Sequence, residues 1–445
     1  MEDSTPPNDR RSQQWSPNTM QSLRRRLRRM QGQQTSRVDR AAVPPPPTSA
    51  SALRQDIARL TNGETLKTVA GSVYVVMESL PGEHIQGHLA LADWFAADPH
   101  WLAHLAENAA FADHPLENAI FLDTETTGLD GSSLAFMVGL GYFEGRDQFV
   151  VRQYFLRNPA EEDAMLLHLA ETLTPDRTLV TFNGRGFDLR LLTHRFALAG
   201  IDYHLNRLPH LDLLPPARRL WRRRLPSCSL GSLEDHILGL ARSHEDVPGW
   251  QIPQMYAEYV RSRDATDMLR VLYHNRQDIL SMVTLGVQLS RTYAEPANPL
   301  LPVSDRLSLA RWFTSRDMVP EALAAFASAA ADAPTADLRY ECLDQWADLL
   351  KRFDNRSEAL PLWQDMADLK IDPKPFEEIA KYYEWHADDL SSARDWTAAG
   401  IAWVESWRQG FERVRALETL THRLERLERK LRSGGEVNTP PLGGA

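Results

Sequence analysis

The chain is poor in cysteine: Cys228 and Cys342 are the only two in 445 residues. They stand far apart in unlike contexts, which argues against a disulfide framework or a cysteine-based zinc site and fits a reducing, cytoplasmic setting. It also lacks any run of about 18 apolar residues, so neither a transmembrane helix nor a membrane partner is expected. No apolar segment accompanies the charges near the start of the chain, so no secretory leader is expected. Positive charge is in deficit: 50 Lys and Arg against 60 Asp and Glu leave a net charge of −10. A protein that merely coats nucleic acid depends on a large positive field, so that class is disfavoured, whereas an enzyme with a local basic track is not. What is present is ordinary for a globular protein, with 43% hydrophobic and 25% charged residues. The length allows roughly two or three domains.

Residues 1–50 read as a disordered basic, Pro-rich tail, with Pro44 to Pro47 unbroken. Within it Leu23, Leu27 and Met30 have helical spacing among arginines. This is either a phosphate- or partner-binding arm or a solvated basic tail. Residues 51–115 form a small accessory segment: a helix over 53–60, a β-rich stretch over 66–77, and a helix over 89–105 carrying Trp94, Phe95 and Trp101. It shows no chemistry and is expected to pack on the domain that follows.

Residues 116–292 alternate strands and helices. Strands are predicted at 119–122, 134–143 and 148–155, joined by short connections that imply antiparallel pairing. A helix capped by Asn158, with Pro159 at its first position, runs to about Leu173. A strand at 178–182, a helix at 187–199 and a strand at 210–214 follow. The expected fold is therefore α/β: a mixed sheet of three antiparallel plus two parallel strands with helices on both faces. That is the order of the ribonuclease H-like fold.

Residues 300–410 change to helix pairs without strands. Leu309, Ala310, Phe313, Ala322, Phe326, Ala329 and Pro334 fall at the spacing of one tetratricopeptide repeat. Ala347, Leu350, Ala359, Trp363 and Met366 continue it, and Ala380, Tyr383, Ala393 and Trp396 make a looser third. Such an all-α region either offers a groove to a protein partner or buttresses the domain before it. A last helix over 411–434 carries Leu417, Leu420, Leu424, Leu427 and Leu431 at 3-4-3-4 spacing, to cap the stack or form a short coiled coil. Residues 435–445 read as a disordered tail.

The chemistry collects in three stretches. Asp123 and Glu125 follow an apolar strand. Residues i and i+2 of a strand share a face, so both carboxylates aim at one point and invite a hard divalent cation. The plainer alternative is a strand end with two solvated acids. Asp188 opens a helix after a Gly-rich turn, Asn183-Gly184-Arg185-Gly186. Alone, it is an acid that a helix N-terminus favours. His274 and Asp278 are i and i+4 on a late helix and share a face.

Taken in order, D-x-E, N-G-x-x-F-D and H-x-x-x-D resemble the three motifs of the DEDD 3′–5′ exonucleases. The chain-wide pattern is similar to the bacterial YprB-like group (mitomycin repair factor B type), in which such a domain precedes tetratricopeptide repeats. The stretches 217–224 and 226–233 look like that group too. The resemblance implies that Asp123, Glu125, Asp188 and Asp278 hold two divalent ions, Mg²⁺ or Mn²⁺. Phosphodiester hydrolysis builds negative charge on both in-line oxygens, and a metal pair meets it. The family orients its water with a His five residues, or a Tyr four residues, before the last Asp. Here His274 stands at four and Tyr273 at five. Helical geometry favours His274, as water-orienting group or base, with Tyr273 as a packing residue; the subfamily stays open.

The resemblance further places Thr126, Thr127 and Leu129 at the terminal nucleotide, with Asn183 and Arg185 in the neighbouring turn. Arg218, Arg219, Arg222, Arg223 and Arg224, with Trp221 among them, read either as a phosphate track with a stacking aromatic or as a solvated helix face with Trp221 in the core. The function expected is a metal-dependent 3′–5′ exonuclease acting on a single-stranded 3′ end or a duplex end. DNA is favoured, and the resemblance suggests repair beside a helicase partner. Two rivals stand: an inactive nucleic-acid-binding adaptor that acts through its repeats, and the same chemistry on RNA.

Overall fold

The computed structural model describes residues 56–128, 133–243 and 246–435. The expected tail at 1–50, Leu129 and residues 436–445 lie outside these. The chain divides into two units: one runs up to Arg218 and resumes over Leu225–Ala294, the other holds Arg219–Arg224 and everything from Glu295 onward.

The first unit is built on strands β1 (Glu64–Thr68), β2 (Gly71–Pro81), β3 (Ala119–Thr126), β4 (Ala135–Glu144), β5 (Gln148–Phe155), β6 (Thr178–Thr181) and β7 (His210–Asp212). They form one sheet in the order β1-β2-β5-β4-β3-β6-β7. The predicted mixed sheet is there: β3–β4 and β4–β5 are antiparallel, β3–β6 and β6–β7 parallel. Two further strands extend it. β1 and β2 come from the accessory segment, and β2 pairs antiparallel with β5, Tyr74 opposite Phe155. Propensity foresaw β structure there; that β5 leaves an edge for it to fill is a tertiary fact.

β3 is covered on both faces, as its apolar run demands. Phe121 and Leu122 are fully buried, and Trp94 meets Phe121 edge-on at 5.0 Å. The helix expected over 89–105 is broken. A 3-10 turn, Leu91–Ala96, comes first, and α1 begins at Pro99 (Pro99–Ala106) under an Asp98 cap. Proline lacks the N–H that a continuous helix would use, and suits a first turn.

Helices α2 (Glu162–Thr172), α3 (Asp188–Ala199), α4 (Leu214–Trp221), α5 (Ile252–Ser262) and α6 (Met268–Ala294) complete the unit, apart from the last residues of α4. α6 packs across β3, β4 and β5. It is pinned to β2 by Arg276, whose Nε and Nη2 lie 2.5 and 2.9 Å from the Glu78 carboxylate. Its close approach to the sheet needs Gly139, directly opposite Asp123 in the β3–β4 register. A Cβ at 139 would stand 2.1 Å from Asn275 Oδ1.

The second unit is all helical. α7 (Val303–Ser315) packs on α8 (Val319–Ala331), α9 (Ala336–Arg352) on α10 (Arg356–Leu369), and α11 (Lys374–Trp385) on α12 (Leu390–Glu405). Leu309, Phe313, Phe326, Ala347, Trp363, Met366, Ala380 and Ala393 are buried as the repeat spacing predicts. Tyr383 and Trp396, from the looser third set, are half-buried. The final helix, α13 (Phe411–Gly435), lies on α12 with Leu420 and Leu427 buried. Among the described residues no helix is long and apolar enough to cross a membrane.

Gly139→Ala is expected to lower the unfolding free energy by about 1–3 kcal/mol, the usual cost of forcing an extra methyl into a packed core. Denaturant titration of the whole protein measures it. An unchanged midpoint and slope would show that α6 does not bear on β4 at this position.

Candidate metal-dependent nuclease site

The C-terminal ends of β3, β6 and β7 point the same way, and the candidate groups gather there. Asp123 and Glu125 project from the end of β3, next to a register irregularity between Glu125 and Thr126. Such bulges re-aim side chains beside functional sites. Glu125 is 9% exposed.

After β6 the chain turns sharply. Asn183 adopts φ 67°, a left-handed conformation that asparagine tolerates better than most residues. Gly184 has room only for hydrogen, since a Cβ would meet the Thr181 hydroxyl at 2.4 Å. The turn is held from below by Asp212, the last residue of β7. Its carboxylate accepts from the amides of Asn183 (2.7 Å), Arg185 (3.1 Å) and Leu214 (3.1 Å). The turn delivers Asp188, 4% exposed, to the first residue of α3, where the Thr124 hydroxyl donates to its Oδ1.

The third contribution comes from α6. Asn275 is fully buried and donates through Nδ2 to Asp123 Oδ2 at 2.8 Å. Its own Oδ1 accepts from Gln153 Nε2, also at 2.8 Å. One turn away, the side chains of Asp278 and His274 are 17% and 14% exposed, with His274 Nε2 3.7 Å from Asp278 Oδ2. His274 Nδ1 lies 2.7 Å from Asp246 Oδ1, so a carboxylate orients the imidazole.

The electrostatics show that these acids face one another. Burial first, then the charges of Asp278, Glu125 and Asp188, push the Asp123 carboxyl well above the usual range. Burial, then Asp278 and Asp188, do the same to Glu125. Burial lifts Asp188 to about 6, against the hydrogen bond from Thr124. One guanidinium stands among them. Arg242 donates from Nε and Nη2 to Glu234 at 2.5 and 2.8 Å, from Nη1 to Asp246 at 3.3 Å, and from Nη2 to Asp278.

Residues 120–290 match the family described as RNase_H superfamily. The chain is 31% identical over 284 residues to the "Uncharacterized protein YprB" of Bacillus subtilis (strain 168), covering 62% of this chain and 67% of that protein. The chain belongs to the YprB family. This YprB-family chain thus carries a ribonuclease H-like domain of nuclease type, whose substrate class is nucleic acid.

Nucleases of this superfamily generally use divalent metals, and the donor set fits one chemically: hard carboxylate oxygens, buried and mutually repelling. Yet among the described residues no three of His, Cys, Asp or Glu are gathered closely enough to hold an ion as they stand. Three of the acids are tied to protein groups instead: Asp123 to Asn275, Asp188 to Thr124, Asp278 to Arg242.

The other residues singled out from the sequence separate. Thr126 is buried, its hydroxyl donating to the Gly128 carbonyl at 2.8 Å. Thr127 is exposed and its hydroxyl accepts from the Leu134 amide. Asn183 and Arg185 sit on the exposed turn, and Arg185 also lines a cavity of about 720 Å³ between α3 and the end of α1. Tyr273 is half-buried.

Within the basic run the aromatic and the arginines part: Trp221 is buried while Arg218, Arg222, Arg223 and Arg224 are exposed. Trp221 is 2% exposed, so its ring packs in the core and cannot stack on a base. Within the second unit Arg224 is paired with Asp305 at 2.9 Å, Arg223 with Glu341 at 3.2 Å, and Arg219 lies over Trp312. Arg218 and Arg222 are exposed. Sequence reasoning missed Asn275, Asp212, Glu234, Arg242 and Asp246. Asn275 lay inside a flagged stretch; the rest stand outside any recognisable spacing.

Because the folded-state pKa values are raised, the folded protein retains protons that the unfolded chain loses above about pH 4. The unfolded state then binds fewer protons, so stability falls as pH rises through the folded values, near 6 for Asp188. Metal-free protein is expected to melt at lower temperature at pH 8 than at pH 6, with Asp188 contributing about 0.4 kcal/mol over that window, since most of its effect falls between pH 4 and 6, and Asp123 and Glu125 acting in the same direction. Asp123→Asn should raise the pH 8 melting temperature. A melting temperature that climbs from pH 6 to 8 would contradict the charge balance described.

Proposed function

We propose that this protein is a metal-dependent 3′–5′ exonuclease that hydrolyses phosphodiester bonds, with DNA as the favoured substrate. One observation carries the reading. Acids from three segments far apart in sequence, the end of β3, the start of α3 and the middle of α6, are brought within mutual repulsion in one buried place. A fold tolerates that cost where a cation is to be bound.

Asp123, Glu125, Asp188 and Asp278 would hold the divalent ions, Mg²⁺ or Mn²⁺, which supply a nucleophilic hydroxide and neutralise charge on the leaving 3′ oxygen when bound. His274 orients the attacking water and takes its proton at Nε2, while Asp246 at Nδ1 fixes the ring. Asn275 holds Asp123 in line through its amide. Thr126, Thr127, Asn183 and Arg185 border the acids and meet the terminal nucleotide. The helical unit fits a role as a platform for a protein partner, and the resemblance to the mitomycin repair factor B type suggests work in DNA repair.

A second reading rests on a specific observation. The Arg242 contact to Asp278, with no three ligands gathered, is also what a retired nuclease fold acting as a nucleic-acid-binding adaptor would show. An exoribonuclease is the third, since discrimination turns on a 2′-OH contact.

Incubating end-labelled single-stranded DNA, duplex DNA and RNA with the protein and Mn²⁺ distinguishes the three. The expected result is stepwise shortening from the 3′ end, fastest on DNA, with Asp123→Ala reduced by at least about a hundredfold. Loss of nucleotides from RNA alone would replace the substrate. Absence of metal-dependent shortening on all three would leave the adaptor.

A further inference from the structure

Arg242 stands out because it is over-provided with partners. It is half-buried, following a π-helical turn, Glu234–Leu238, whose first residue is fully buried. π-turns are rare and concentrate at functional sites. Glu234 takes the guanidinium with both carboxylate oxygens, at 2.5 and 2.8 Å from Nε and Nη2. Asp246 takes Nη1 at 3.3 Å. Those two acids already satisfy and neutralise the cation. The contact from Nη2 to Asp278 is therefore surplus to holding Arg242, while for Asp278 it is a direct tie to a full positive charge beside the other acids. Asp278 is the group whose charge weighs most, after burial, on both Asp123 and Glu125.

Resting on the metal-dependent reading above, we propose that Arg242 is a stand-in cation: it holds Asp278 in the metal-free site and yields it when a divalent ion binds, so that metal and guanidinium compete for one carboxylate. On release the guanidinium keeps its fork on Glu234 and its contact to Asp246. The competition bears on the ungathered ligands. With Asp278 drawn to Arg242, the acid from α6 is withheld from the other three. It also gives the site a metal threshold. Binding must overcome an existing ion pair as well as ion dehydration, which keeps the acids paired at low metal and sets the concentration at which the site assembles. Arg242 is a positioning residue in this scheme, acting on substrate only through Asp278.

The test is Mn²⁺ titration of the whole protein without nucleic acid, by calorimetry or by the electron paramagnetic resonance of free Mn²⁺. Arg242→Gln should bind Mn²⁺ more tightly than wild type, by about tenfold or more, since one competing interaction of a few RT is removed. A general charge effect would also tighten binding, so the gain is measured again in Asp278→Asn. Competition for Asp278 predicts that Arg242→Gln then gains nothing; a gain that persists overturns the proposal. Removing Arg242 leaves Glu234 buried and unpaired, so the double variant Arg242→Gln/Glu234→Gln, which neutralises both, repeats the measurement in a fold without that burden. Equal or weaker Mn²⁺ binding in both variants, with wild type binding normally, overturns the competition and leaves the nuclease reading standing. No Mn²⁺ binding by any of them overturns both.

Discussion

Repulsion between buried carboxylates is the constraint around which the first unit is arranged. Asp123 and Glu125 leave the most thoroughly covered strand of the sheet, and Asp188 and Asp278 arrive from two helices to face them. Left alone, four such charges would drive the ends of β3, α3 and α6 apart. Three of them are instead met by a neutral donor or a cation from a different element: Asp123 by the Asn275 amide, Asp188 by the Thr124 hydroxyl, Asp278 by the Arg242 guanidinium. Those donors are themselves braced, Asn275 by Gln153 and Arg242 by Glu234. The site is thus two layers deep, and its second layer consists largely of groups with no chemistry of their own.

How much of this the sequence displays follows from which forces are local. A strand ending in D-x-E, a helix opening on Asp188 and an i,i+4 His274–Asp278 pair are short-range patterns, and each is found where its spacing puts it. Asn275 stood in plain view between His274 and Asp278, but its role depends on Gly139 across the sheet having no side chain. Arg242 and Asp246 lie beyond a π-turn, where neither helical nor strand periodicity applies, and their meeting with α6 is set by tertiary packing alone. The accessory segment teaches the same lesson. Its β-rich composition was evident, whereas the edge it completes belongs to β5, far along the chain. The basic run shows the converse: its charge density was evident, but not that Asp305 and Glu341 are placed to absorb it.

The second unit settles its charges in a comparable way with no site in view. Glu384, whose side chain is fully buried at the end of α11, is reached by Arg426 at 2.6 Å, Lys430 at 2.7 Å and Arg423 at 3.1 Å, all from α13. Trp385 beside it carries Arg423 and Arg426 over its ring. Three cations on one carboxylate fix the rotation of α13, so that Leu420 and Leu427 face inward. A leucine stripe at that spacing serves a coiled coil equally well; the ionic node is what commits it to the stack.

The order of strands in the sheet bears on how the protein comes to be made. β2 is synthesised early, but its partner β5 follows some way along the chain, with Tyr74 opposite Phe155. β3 and β4, by contrast, pair with their immediate successors. On a growing chain, the meander that carries Asp123 and Glu125 can close as soon as it emerges. The β1–β2 hairpin meanwhile waits with one edge open, and loop closure over that distance is slow. The edge that closes last in the sheet is therefore one remote in sequence from the acids it helps to frame.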